Sequence, residues 1–238
     1  YEEMPAYVYT LENRLKIKNE YEAALKLGIN AEYTETVDLP FTIDAAVKFN
    51  HQAQFNPLEF IKAISEKLTI YEDTMVKEVQ DNLVITDKGT ITAKNIVIAT
   101  HYPFINVPGY YFLRLFQKRS YVLALVNATL VNGMYRDESD SGFSLRNYNN
   151  LLIFGGGGHK TGEKRDWSSY ERLREAAKKY YPNGKEVYHW SAQDCTGLDE
   201  IPYIGKYSAR TPDMYVATGF NKWGMTSSMV SAMLISDS

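Results

Sequence analysis

The chain has 238 residues, 45% of them hydrophobic and 23% charged, with a formal net charge of −3. That is enough apolar material for one large core or two smaller ones, and the slight acidity leaves no electrostatic footprint for nucleic acid or an anionic membrane. A single cysteine, Cys195, excludes an intramolecular disulfide framework and fits a reducing, cytoplasmic location, and no apolar run is long enough to span a bilayer.

The chain opens Y-E-E-M-P without an initiator methionine and closes S-D-S inside a helical pattern, as a piece of a longer protein would. Ala6 to Thr10 predicts a short strand. Thr10 is placed to cap a helix reaching about Leu27, with Ile17, Tyr21, Ala24 and Leu25 on one face and Gly28 as its stop. Glu32 to Phe41 reads as loop or short strand, and Ala45 to Phe49 as a strand. In F-N-P-L-E-F-I-K-A-I, Asn56 is an N-cap, Pro57 suits the first helical position and Glu59 completes a capping box. Leu58, Ile61, Ile64 and Leu68 form its apolar stripe.

Residues 69 to 100 predict a run of strands: Ile70 to Glu72, Thr74 to Val79, Leu83 to Thr86, an Asp87-Lys88-Gly89 turn, and Thr90 to Thr92. The apolar Ile96-Val97-Ile98-Ala99 predicts a strand buried on both faces, as inside an α/β sheet. Pro103 and Pro108-Gly109 punctuate a crossing connection. Antiparallel sheet follows, with strands at Tyr121 to Val126, Gly133 to Arg136, Gly142 to Arg146 and Leu151 to Phe154. Gly155 to Gly158 is not a phosphate loop: a Walker pattern ending in Lys160-Thr161 needs glycine at His159 and Phe154. It reads as a glycine-rich strand exit near a ligand.

Ser168 with Glu171 opens a second capping-box helix, its stripe Tyr170, Leu173, Ala177 and Tyr180, ended by Pro182-Asn183-Gly184. Val187 to Ser191 is a strand, and W-S-A-Q-D-C-T-G-L-D-E-I-P-Y-I-G a long polar loop. The closing stretch, Met214 to Met233, reads as strand, Gly219 turn and helix. Thr226, Ser227 or Ser228 would cap that helix, and Met229, Val230, Met233 and Leu234 lie at helical spacing. Such a turn aims backbone N–H groups and a positive dipole end at whatever lies above it, a place for an anion or a group that becomes anionic; an ordinary β-turn-α connection has the same pattern.

Isolated motifs name no catalytic residue. His51, His101, His159 and His189 have no metal-ligand spacing, one cysteine builds no zinc or iron–sulfur site, and no metal is expected. No nucleophile elbow is present. Cys195 is a nucleophile only with a histidine and an orienting group nearby, and Asp199-Glu200 reads as a solvated turn.

In combination, A-K-N-I-V-I-A-T-H, W-S-A-Q-D-C-T-G-L-D-E-I-P-Y-I-G and Y-V-A-T-G-F-N-K-W-G-M-T-S-S resemble, in this order, the FAD-dependent amine oxidoreductases, the family of D-amino acid oxidase, glycine oxidase and sarcosine oxidase. T-M-V-K-E-V and L-L-I-F-G-G-G-G are similar to further stretches of that family, and G-F-N-K-W-G-M-T is similar to members with an appended Rieske iron–sulfur domain. The resemblance implies an α/β fold, α+β in part: an incomplete Rossmann-like FAD-binding domain (56–109 and 186–238) interleaved with a mostly antiparallel substrate domain (1–55 and 110–185) carrying helices on one side.

It further implies that Gly219, Lys222, Gly224, Met225 and Thr226 approach the flavin ring, that Val76 meets adenine through its backbone, and that Ala99 and Thr100 flank the dinucleotide. The implied reaction is oxidation of a small amine or amino acid by hydride transfer, which needs no general base. A substrate carboxylate would call for an arginine; Arg119, Arg136 and Arg146 lie on substrate-domain strands, with Tyr121 and Tyr148 as pocket residues. Two departures stand out. His101 occupies a position where glycine often follows the A-T pair, and no G-x-G-x-x-G with its following acidic residue is present. The chain as given is therefore expected to bind FAD weakly or not at all, the segment holding pyrophosphate and ribose lying upstream of Tyr1. Two other readings are an inactive flavoprotein-like binding or assembly module and a hydrolase or transferase built on Cys195.

Overall fold

The computed structural model describes residues 1–139, 142–163 and 168–238. Its strands are β1 (Glu2–Glu3), β2 (Ala6–Thr10), β3 (Ala31–Thr34), β4 (Ala45–Phe49), β5 (Ala53–Gln54), β6 (Val76–Gln80), β7 (Leu83–Thr86), β8 (Thr90–Thr92), β9 (Ile96–Ile98), β10 (Leu115–Val126), β11 (Met134–Asp137), β12 (Ser144–Tyr148), β13 (Leu151–Lys160), β14 (Lys185–Gly197), β15 (Tyr203–Ser208) and β16 (Thr211–Thr218). Its α-helices are α1 (Arg14–Lys26), α2 (Pro57–Ser65), α3 (Ser168–Tyr180) and α4 (Gly224–Ser236). The chain divides into two compact units, residues 1–56 with 119–192 and residues 57–118 with 193–238.

The first unit is organised on an eight-stranded sheet of order β14-β10-β13-β12-β11-β2-β4-β3. The pairings are antiparallel at β11–β12, β12–β13, β2–β4 and β3–β4, and parallel at β2–β11. Strand alternation splits its apolar residues between two cores. Tyr9, Ala46, Leu123, Leu145, Leu152 and Phe154 face α3, which contributes Tyr170, Leu173 and Ala177. Their sequence neighbours Val8, Ala45 and Val47 face α1, which contributes Ile17 and Ala24. The two helices therefore cover opposite faces, where one common side was expected. The reason is that both Tyr9 and Val8, and both Ala46 and Val47, are apolar, so these strands have two sides to bury.

Helix α1 begins later than predicted. Thr10 Oγ1 accepts from the amides of Glu12 and Asn13, and the cap is Asn13, whose Oδ1 accepts from Lys16 N at 3.2 Å. Asn13→Ala is expected to lower stability by about 1 kcal/mol, read as a shift of the urea midpoint. Leu25, assigned to the buried stripe, is exposed.

The glycine run is not a strand exit. β13 continues through Gly155–Gly158 to Lys160, because the run lies under close neighbours that leave no room for side chains. A Cβ on Gly156 would stand 2.9 Å from Phe143 Cδ1 and 3.4 Å from Leu173 Cδ1, and one on Gly155 would stand 2.5 Å from Ser144 Oγ. Gly157 adopts φ +66°, and beyond it the alternation shifts: His159 Nε2 lies 3.0 Å from Tyr121 Oη, on the α3 side.

The second unit holds two three-stranded sheets, β15-β16-β9 and β6-β7-β8. β16 pairs with β15 antiparallel and with β9 parallel. Ile96, Ile98, Met214 and Val216 pack with Cys195, Leu115, Tyr111, Tyr207 and, from the smaller meander, Val79 and Val84. Residues 70–72 form no strand. The predicted polar loop after Trp190 is instead strand: β14 runs to Gly197 and β15 begins at Tyr203, with Cys195 fully buried. The polar letters misled because Thr196 and Cys195 are buried with backbone and hydroxyl partners of their own.

Three apolar faces predicted to be buried are open. Val97 is 46% exposed between buried Ile96 and Ile98. No residue of α2 is buried. On α4 only Ser231 is buried, and Met229, Val230, Met233 and Leu234 are exposed. Helix α4 turns its small side to the sheet, Ser231 Oγ bonding Ser227 O at 2.7 Å, which lets the helix approach closely. No helix among the described residues is long and apolar enough to cross a membrane.

Candidate active site

The closing motif is held as a clamped turn. β16 delivers buried Thr218 into Gly219, whose φ is +72°. Thr218 Oγ1 donates to His101 O and lies 3.7 Å from Cys195 Sγ. Asn221 N donates to Cys195 O at 2.9 Å, and Thr196 bridges to Phe220. The loop after β9, the turn after β16 and the end of β14 are thus tied together by hydrogen bonds. His101 has φ +64°, so a side-chain-bearing residue holds there the left-handed conformation that favours glycine.

Helix α4 starts at Gly224 and its N-cap is Trp223, which makes no side-chain capping bond. Thr226, Ser227 and Ser228, expected as caps, lie inside the helix, where Ser227 N bonds Trp223 O at 2.8 Å and Ser228 Oγ bonds Met225 O at 2.7 Å. The first-turn amides therefore have no side-chain oxygen in front of them, and the positive dipole end is open. A groove of 560 Å³ runs along β9, β16 and α4, lined by Val97, Ala99, His101, Gly219, Ser231 and Ile235 among others.

These residues fit one end of an FAD. A Cβ on Gly224 would meet nothing within 4 Å, and its φ does not demand glycine, so no packing inside the chain explains the residue, and the backbone there leaves room for a flat group. The uncapped helix suits a group that gains negative charge. The pyrophosphate end is different. The motif reading found no strand-glycine-rich turn-helix with a following acidic residue, and the glycine run 155–158 is packed into sheet.

Asp194 escaped the sequence reading. It sits on β14, half-buried, one residue before the Asn221 anchor. Burial pushes its carboxyl above the ordinary 3.8, while the charges of Lys222, His101 and Lys118 pull it the other way. Its signal was faint: an acid beside an apolar cysteine in what proved to be a strand. Cys195 is fully buried with its Sγ against Thr218 Oγ1, and burial pushes its thiol up, opposite to what a nucleophile needs; neither feature supports the hydrolase reading of that residue. Tyr207 is pushed up to about 12 by burial and is a structural hydroxyl, donating to Ile105 O.

The predicted residues scatter. Ala99 and Gly219 line the groove, with Thr100 beside Ala99 and with Lys222, Gly224, Met225 and Thr226 in the turn and helix start that follow. Val76 opens β6 on the separate meander, paired with Thr86. Arg119 donates to Ser191 Oγ at 2.8 Å. Tyr121 is buried under α3 in edge contact with Tyr170. Arg136 lies on the opposite face: its neighbours Tyr135 and Leu145 face the α3 core, and Arg136 pairs with Ser144. Arg146 and Tyr148 share that exposed face by alternation, Asn56 Nδ2 donating to Tyr148 Oη at 3.1 Å. Arg119 and Tyr121 therefore cannot form one pocket with Arg136, because successive faces of a strand are separated by the sheet itself. No group of three or more metal-ligating side chains occurs among the described residues.

A Bacillus subtilis (strain 168) protein whose name describes it as a Rieske 2Fe-2S iron-sulfur protein, YhfW, is 37% identical over 252 residues, covering 99% of this chain and 50% of that protein. The chain thus spans about half the length of the curated relative it matches. Among solved structures, glycine oxidase from Geobacillus kaustophilus superposes with a TM-score of 0.82 at 17% identity, covering 99% of this chain and 70% of that one. L-proline dehydrogenase from P. horikoshii gives 0.77 at 19%, covering 98% and 70%. The family model described as FAD dependent oxidoreductase matches residues 4–238, and the chain belongs to that family.

Proposed function

We propose that the protein oxidises a small amine or amino acid at the carbon next to nitrogen, in the cytoplasm, with the second unit (near the expected 56–109 and 186–238) holding the flavin and the first (near 1–55 and 110–185) shaping the substrate side. The observation that carries this is the left-handed Gly219 turn feeding a helix whose N-terminus is uncapped and whose first residue, Gly224, has open space over it. Bound FAD would supply the acceptor for a hydride. The chain's own part is positioning and electrostatics: the α4 amides and Lys222 stabilise negative charge gained near the turn, and Gly219 and Gly224 keep side chains off the ring. An iron–sulfur partner domain as electron acceptor is supported by the name of the YhfW relative.

The test is the visible spectrum of protein expressed from the full open reading frame, beside the 238-residue chain. The expected result is a flavin band in the longer protein that bleaches anaerobically with an amine or amino acid, and weak or no FAD uptake by the shorter. No band in either, even with added FAD, would overturn the oxidoreductase reading in favour of a flavoprotein-like assembly module.

A further inference from the structure

Tyr121 on β10 is buried, and its hydroxyl faces a base. Its Oη lies 3.0 Å from His159 Nε2, and His159 Nδ1 lies 2.9 Å from Lys160 O. A carbonyl oxygen only accepts, so in the neutral ring Nδ1 carries the hydrogen and Nε2 presents a lone pair. Tyr121 therefore donates, and a buried phenol points its proton at a nitrogen able to keep it. The left-handed Gly157 brings the two together by shifting the alternation of β13, so that His159 reaches the side of Tyr121. Other buried phenols are placed differently. Tyr9 and Tyr111 donate to the carbonyls of Phe143 and Tyr207, each at 3.0 Å, and Tyr207 donates to that of Ile105. An amide oxygen is too weak a base to take a phenol's proton.

Tyr121 also has a route to the surface. Its ring stands edge-on to Tyr170, centroids 4.7 Å apart, and Tyr170 stands edge-on to His189 at 5.1 Å. His189 is exposed. Arg174 Cζ lies 5.4 Å from the centre of the Tyr170 ring, and Glu186 holds that guanidinium at 2.8 and 2.9 Å. A cation over a ring makes removal of an electron from it harder. A base at the hydroxyl makes removal easier, because the proton leaves with the electron. An electron vacancy entering from the surface therefore passes Tyr170 and settles on Tyr121.

We propose that Tyr121 and His159 form a redox-active pair that takes up the oxidising equivalent of a strong one-electron oxidant, such as an oxygen-derived radical. In that step the oxidant gains one electron and the Tyr121 phenol loses one. The phenol O–H bond breaks and an N–H bond forms at His159 Nε2, so the proton stays within the pair. One electron returned at the surface by a thiol or ascorbate reverses both transfers. The pair belongs to the first unit and goes beyond the amine-oxidation reading, since it needs no amine.

The experiment uses the full-length protein and flash-generated ruthenium(III) tris-bipyridine as the oxidant, read by electron paramagnetic resonance in frozen H2O and D2O. The expected signal is a tyrosyl radical with an exchangeable coupling to the proton held by His159. Tyr121→Phe, which keeps the ring, should lose this signal. His159→Gln, which hydrogen-bonds but takes no proton, should lower its yield and remove the exchangeable coupling, with an unchanged melting temperature showing that the fold is intact. Tyr170→Phe should slow its appearance and leave its spectrum alone. A wild-type signal that survives Tyr121→Phe, or a yield and coupling that survive His159→Gln, would overturn the proposal, as would a wild-type protein that forms no such radical.

Discussion

Phe154→Ala is expected to lower the stability of the first unit by about 3–5 kcal/mol. The ring is fully buried, with centroids of Phe143 at 5.0 Å and Tyr181 at 6.0 Å. Around it lie Leu123, Leu152 and Leu173. The void cannot close easily. On the strand side the next residues are Gly155 and Gly156, which have no side chains to move in, and a Cβ added at Gly156 would already crowd Phe143. On the other side α3 is anchored by Tyr170 and Ala177 in the same core. Amide exchange across β12, β13 and α3 would report the loss, rising on the order of a hundredfold or more where those amides open with the unit. Leu25→Ala on the exposed side of α1 is the control and should stay within about 0.5 kcal/mol. A Phe154→Ala cost no larger than the control's would show that the sheet and α3 do not share a close-packed core.

In the protein expressed from the full open reading frame, Gly219→Val is expected to abolish flavin retention and to destabilise the second unit by about 2–3 kcal/mol, combining a β-branched residue in the left-handed region with overpacking. The added Cβ would stand 3.3 Å from Leu115 Cδ2 and 3.4 Å from Tyr203 Cδ2, and φ is +72°. Because this change harms fold and ligand together, Gly224→Ala is its partner. Gly224 has nothing within 4 Å of an added Cβ, and alanine favours helix by up to about 1 kcal/mol. It should melt at or above the wild-type temperature while the absorbance ratio of flavin to protein falls. Unchanged flavin content in Gly224→Ala would place the ring away from the start of α4.

The sequence reading succeeded where a residue's effect is local. Pro57 is the first residue of α2, α3 begins at Ser168, which lies inside the helix rather than before it, and Asp87-Lys88-Gly89 turns β7 into β8. It failed where partners are distant. Asn13 rather than Thr10 caps α1 because Thr10 is spent on the bend before it, its hydroxyl taken by Glu12 and Asn13. The strand through Cys195 was read as loop because the partners of Cys195, Thr218 and Asn221, lie more than twenty positions away.

The sequence by itself determined the order of most elements and the strand-Gly219-helix unit, because a left-handed glycine, a proline at a helix start and apolar periodicity each impose their geometry on immediate neighbours; the family was legible only through the resemblance of its ordered motifs. Only the tertiary structure decided which face each strand turns to which core. It separated Arg136 from Arg119 and Tyr121 across the sheet, filled the space over the glycine run with Phe143, Leu173 and Ser144, and left the apolar stripes of α2 and α4 open. It also tied the loop after β9, the turn after β16 and the end of β14 together through the Thr218–His101 and Asn221–Cys195 hydrogen bonds. Segments so far apart in sequence meet only when the chain has closed its long loops, and burial, which sets what a side chain can do, is a property of that closure.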